Sequence, residues 1–174
     1  MYRDGRARAR RVRMRDGGER ELRPQRVACR RCERVNVVLP AWCVPGRCDD
    51  AETIGFALLA AAQGRGHRPI AARLGRPATT VRGWLRAARS HAGALRERAW
   101  KLQVRLDLQR VHELLRCHLR PAGSPLGDAV AALGAAAAAA RRFFGADEFD
   151  TSAWEFIVLI SGGRLLRPPR RASG

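Results

Sequence analysis

The chain is almost without lysine: of its 34 basic residues only Lys101 is not an arginine. Acids are scarce as well, 16 against those 34, which leaves a formal net charge of +18 over 174 residues. Heavy use of Arg, Ala, Gly and Pro is what a GC-rich coding sequence produces. That accounts for arginine over lysine, but not for the shortage of acids. A folded chain with this excess repels itself, so an anionic partner is its natural counterweight, and the phosphate backbone is the commonest one. Aromatics make up 6 % and part of the 46 % hydrophobic content is alanine, which buries little area, so small cores are expected rather than one large one. There is no run of about 18 bulky apolar residues and hence no expected transmembrane helix. No basic segment carries the bulky apolar face of a membrane-surface helix. The Arg-rich start, MYRDGRARARRVRMR, lacks the apolar run of a signal peptide. The expectation is a cytoplasmic, nucleoid-associated protein whose five cysteines are reduced.

What is present falls into five stretches. Residues 1–48 are basic, with Asp16-Gly17-Gly18 as a hairpin turn between sparse apolar residues, Val12 and Met14 before it, Leu22 and Val27 after. Val35 to Leu39 read as a short strand stopped by Pro40. Residues 49–90 are helical, with Asp49 as N-cap of a first helix and Glu52 completing a capping box. Residues 91–119 continue a long helix. Its apolar positions Val81, Leu85, Ala88, Ala92, Leu95, Ala99, Leu102 and Leu106 form a heptad seam, and a second seam follows at Val104, Leu108, Val111 and Leu115. The seam suits homodimerisation or packing against residues 126–161. Residues 120–166 hold an Ala-rich helix at 126–144 and a short apolar helix at 151–161 capped by Thr151 or Ser152. GGRLLRPPRRASG reads as a frayed basic end, with 167–174 its disordered tail.

The segment HRPIAARLGRPATTVRGWLR, residues 67–86, has the spacing that two helices crossing through a tight turn require. Ala71 is small where the second helix crosses the first. Gly75 can adopt the left-handed turn conformation, and Val81 and Trp84 fill the gap, with Ile70 and Leu74 buried on the first helix. Pro77 has a fixed φ suited to entering a helix. Arg76 stands where an apolar residue is usual. An ordinary helical hairpin is the competing reading. If the motif holds, Thr79, Thr80, Arg82, Gly83 and Arg86 face outward on a recognition helix in the major groove. Arg82 has the geometry to reach guanine O6 and N7, the threonines to reach a thymine methyl or a phosphate. Gly83 permits close approach. Arg73, Arg76 and Arg89 are then phosphate clamps.

Cys29 and Cys32, with two residues between them after a basic strand, look like one knuckle of a zinc ribbon. A tetrahedral site needs two more ligands, and residues 1–28 contain no Cys or His. Three readings stand: a first knuckle upstream of Met1, which ranks first; local completion by Cys43 and Cys48; or no metal at all. Cys117 and His118 have no second pair near them and read as structural.

The residues IAARLG, TTV and WL resemble the homeodomain-like helix-turn-helix of resolvases, transposase N-termini and bacterial regulators. The whole arrangement of basic hairpin, CRRC, LPAWCVP and WLRAAR resembles small uncharacterised actinobacterial proteins that pair a zinc-ribbon-like N-terminus with a helix-turn-helix. That resemblance covers most of residues 10–95, and more loosely Trp154 to Leu166. It implies DNA binding and a mobile-element origin, and the missing first CxxC is where this chain departs from it, at the zinc cofactor. It brings no activity.

Nothing points to an enzyme. The acids after residue 100 (Asp107, Glu113, Asp128, Asp147, Glu148, Asp150 and Glu155) lie in no strand-like context that would seat a two-metal nuclease. There is no nucleophile elbow and no phosphate-binding glycine loop followed by lysine. The expected fold is mainly α: a small zinc-ribbon-like β-hairpin, a tri-helical helix-turn-helix and a long helix. The expected function is sequence-specific binding of double-stranded DNA, as a transcriptional regulator or the DNA-recognition component of a transposition system, with no small-molecule substrate and no membrane. The alternative is a basic adaptor that binds RNA or an acidic protein without sequence readout.

Overall fold

The computed structural model describes residues 1–106, 121–145 and 151–167, and within them it is a small antiparallel β region followed by helices. The strands are β1 (Tyr2–Arg6), β2 (Arg10–Arg13), β3 (Glu19–Leu22), β4 (Gln25–Ala28) and β5 (Val35–Val38). The helices are α1 (Ala51–Ala62), α2 (His67–Leu74), α3 (Ala78–Arg89), α4 (Ala92–Leu106), α5 (Pro125–Phe144) and α6 (Ala153–Ile160). No helix among the described residues is long and apolar enough to cross a membrane.

The turn at Asp16-Gly17-Gly18 forms. Gly17 takes φ +92°, and the Asp16 carboxylate accepts the Gly18 N–H at 2.8 Å. β2 and β3 pair across it, Arg10 opposite Leu22 and Arg13 opposite Glu19. Val27 is not in this hairpin. It belongs to a second, three-stranded sheet in the order β1-β4-β5, with Tyr2 opposite Ala28 and Val27 opposite Asn36. The two sheets are separate, and β2 makes its further backbone bonds with the loop at Cys48 and Asp50.

The cap of α1 lies one residue later than the sequence suggests. Asp50 is the N-cap: its carboxylate accepts the Thr53 N–H at 2.9 Å and the Arg15 N–H at 3.2 Å. The cause is β2, which runs beside the loop. Arg13 N–H donates to the Cys48 carbonyl and Asp50 N–H to the Arg13 carbonyl, which fixes where the helix can start. Asp49 is thereby freed. It is 2 % exposed and holds Arg13 Nη2 at 2.8 Å and Arg76 Nε at 2.6 Å. Glu52 closes no capping box; it accepts the Ser152 hydroxyl and pairs with Arg15 at 3.6 Å.

The helices share one core rather than several small ones. A single apolar cluster runs from Val44 through α1–α6 to Leu166. Alanine makes this possible by letting helix backbones approach closely. Gly55 does the same on α1: a β-carbon there would stand 2.0 Å from the Trp154 indole. Ser124 caps α5 through the Gly127 N–H, with Pro125 at its first turn, and Ser152 and Glu155 form a capping box on α6. Residues 162–167 are not frayed, and the expected basic tail beyond them lies outside the described residues. Gly162 and Gly163, at φ +62° and +69°, turn the chain back and bury Leu165 and Leu166.

The long helix expected from residue 78 onward is broken. α3 ends at Ser90, whose hydroxyl donates to the Ala87 carbonyl, and α4 starts at Ala92. Between them His91 is buried, with Nε2 at 3.1 Å from both the Arg164 and Leu165 carbonyls. Two carbonyls can only accept, so Nε2 carries the proton. The heptad seam is real as an apolar face, yet the chain's own α5 covers it. Ala92, Leu95 and Ala99 are buried in the shared core, and Gln103 Nε2 donates to the Ala132 carbonyl at 2.8 Å. This is the intramolecular packing, and it leaves that face unavailable to a second copy. The second seam beyond Leu106, with Cys117 and His118, lies outside the described residues.

Two outcomes follow for stability. Asp49→Asn leaves two partly buried guanidinium groups short of a charge and should lower the unfolding free energy by about 3 kcal/mol in urea titration; a loss below about 1 kcal/mol would contradict the central role given to this carboxylate. Gly55→Ala should cost about 1–3 kcal/mol by overpacking against Trp154 and cost nothing when Trp154→Ala is already present.

Candidate nucleic-acid interface

α3 has two faces of opposite character. Val81, Trp84, Leu85 and Ala88 recur at helical spacing and are buried. Thr79, Arg82, Arg86 and Arg89 recur on the other side and are exposed. Thr80 and Gly83 lie between, partly buried, and nothing stands within 4 Å of where a β-carbon on Gly83 would point. α3 itself carries no acid, so the outward face is uniformly basic or hydroxylated.

The entry to α3 is fixed by the chain before it. Gly75 ends α2 in the left-handed conformation, φ +60° and ψ +36°, and its N–H donates to the Ala71 and Ala72 carbonyls. Ile70 and Ala71 are buried under the crossing. Pro77, at φ −56°, leads into α3.

Arg76 is not placed to clamp a phosphate. Its side chain is only 12 % exposed, and its donors point inward: Nε to Asp49, Nη1 to the Leu74 carbonyl and Nη2 to the Met14 carbonyl, the last two at 3.2 Å. A charged residue in an apolar position of the turn is explained by this inward pairing. Arg73 is exposed, with its guanidinium 5.2 Å from the Phe56 ring centroid, and Arg15 lies over the same ring at 4.6 Å. Arg73 thus belongs to the basic surface but not to the face of α3.

One residue joins that face unannounced. The loop after β5 brings Arg47 against α3, where Arg47, Thr79, Thr80, Gly83, Arg86 and Ser90 line a depression of about 580 Å³. Arg47 Nε is buried there without a hydrogen-bond partner. No local pattern in the sequence links a loop arginine to a helix face so far along the chain.

The cysteines do not converge. Cys29 and Cys32 sit on the turn between β4 and β5, where Cys29 N–H donates to the Arg34 carbonyl and Glu33 N–H to the Cys29 carbonyl. Backbone N–H groups of Arg31 and then Cys32 point at the Cys29 sulfur and hold its thiol below the ordinary value. Cys43 is elsewhere, 2 % exposed, and burial pushes its thiol up to about 11. Cys48 is exposed. Among the described residues no group of three or more His, Cys, Asp or Glu is gathered together.

Alkylation by iodoacetamide at pH 7.5, mapped by peptide mass spectrometry, should therefore label Cys29 at least about tenfold faster than Cys43, because the thiolate is the nucleophile. Equal rates would remove the distinction drawn between the two sites. Compared with known proteins, the chain matches no family model, no curated protein and no solved structure.

Proposed function

We propose that α2 and α3 act as a helix-turn-helix that lays α3 in the major groove of double-stranded DNA and reads its sequence. The observation that carries this reading is the division of α3: a fully buried apolar side and an open side of Thr79, Arg82, Arg86 and Arg89, free of acids. A helix of that kind fits the groove, and a net charge of +18 supplies the non-specific attraction. Arg82 is the reader of guanine, and Thr79 and Thr80 meet a thymine methyl or a phosphate. Gly83 lets the backbone approach. Arg73, Arg86 and Arg89 hold phosphates and set the register. The protein does this without a catalytic step, at the nucleoid, as a transcriptional regulator or as the recognition part of a transposition system. Since α5 covers the heptad seam, the proposed reader is a monomer and its site a single, non-palindromic one.

Selection of bound duplexes from a random library at near-physiological salt tests this. The wild type should enrich one non-palindromic motif. Arg82→Ala should relax it at one position, at a cost of about 1–3 kcal/mol. Arg89→Ala should instead weaken all sequences alike and reduce the salt slope by about one. Binding that enriches nothing and merely fades with salt would leave the charge-only adaptor for RNA or an acidic protein as the surviving reading.

A further inference from the structure

A second basic feature lies away from α3. Between β5 and the turn that follows α6 is a cavity of about 800 Å³. Its walls include Val35 and Val37 from β5 and Leu159 from α6, which remain 44 %, 49 % and 48 % exposed. Large apolar side chains left this open around one hollow mark a surface that a ligand covers. Three arginines, Arg8, Arg10 and Arg167, also line it, and among the described residues no acid does.

Arg10 is the telling member. It is partly buried, and its Nε and Nη2 are shut off from solvent with no hydrogen-bond partner. Its neighbour on the same strand, Arg13, has the Asp49 carboxylate at 2.8 Å. Among the described residues no carboxylate is paired with Arg10 in this way. A desolvated guanidinium without a counter-charge is costly, and an anion held beside it in the cavity supplies the missing charge.

We propose that this cavity binds a small organic anion, a carboxylate carried on an apolar body. Its head is held by the combined charge of Arg8, Arg10 and Arg167, and its body lies against Val35, Val37 and Leu159. The volume suits a single small molecule. The ligand is bound, not transformed, and the proposal is independent of DNA binding.

Calorimetric titration of the full chain with octanoate, 1-octanol and inorganic phosphate tests it. Octanoate should bind saturably at one site, at least about tenfold tighter than octanol, which lacks the charge, or phosphate, which lacks the apolar body. Arg10→Met should weaken octanoate about tenfold and raise the ligand-free Tm, because an unpaired buried charge is gone. Arg65→Gln, an equal loss of charge on an exposed loop, should leave octanoate binding unchanged. Should Arg10→Met lower the Tm instead, Arg8→Gln decides, since Arg8 is exposed and its loss should weaken octanoate without touching stability. The proposal is overturned if octanoate does not bind. It is overturned equally if octanol or phosphate binds as well as octanoate, or if octanoate binding is the same in Arg10→Met, Arg8→Gln and Arg65→Gln.

Discussion

One buried carboxylate ties the two parts of the protein together. Asp49 holds Arg13 of the β region and Arg76 of the turn between α2 and α3. It works beside the backbone bonds of Arg13 to Cys48 and Asp50 and the pairing of Arg15 with Glu52. A buried ion pair often returns little net stability, because both charges lose their water. Here further bonds of Arg76 to the Leu74 and Met14 carbonyls engage one N–H on each of its other two nitrogens and offset part of that loss. The same contact sets the position of α3, because Arg76 stands immediately before Pro77 and the first turn of that helix.

The outward face of α3 gains its definition from what lies behind it. Trp84, Leu85 and Val81 are anchored in a core that extends through α5 and α6, so the exposed side presents a fixed row of groups. Arg47 is carried to that row by a loop which itself is pinned between β2 and α1. Alanine-rich helices achieve this with few bulky side chains because close backbone approach replaces side-chain volume. Gly55 under Trp154 is the extreme case.

Much of the helical body was legible in advance. The spacing of Ala71, Gly75, Val81 and Trp84 anticipated two helices with these apolar positions buried and a left-handed residue between them. The turn at Asp16-Gly17-Gly18 and the cap at Ser152, one of the two residues expected there, followed from local chemistry, since each acts within a few residues of itself. The misreadings share one origin. Asp49 as cap, Arg76 as phosphate clamp, a continuous helix through Ser90 and His91, and a frayed end from Gly162 were all local readings. Each was overruled by a partner more than twenty residues away: β2 and Arg76 for Asp49, the Arg164 and Leu165 carbonyls for His91, and the core for Leu165 and Leu166.

Taken alone, the residues determined which face of each helix is apolar, where the chain turns and how much positive charge it carries, because these depend on side-chain type and spacing. Only the tertiary structure decided which arginines remain available. Arg82, Arg86 and Arg89 stay on the surface, Arg76 is drawn inward, and Arg10 is enclosed without a counter-charge. The physical reason is that a guanidinium is indifferent to its neighbours in sequence. Its role follows from whether folding brings a carboxylate within reach, and that is settled by contacts between distant segments.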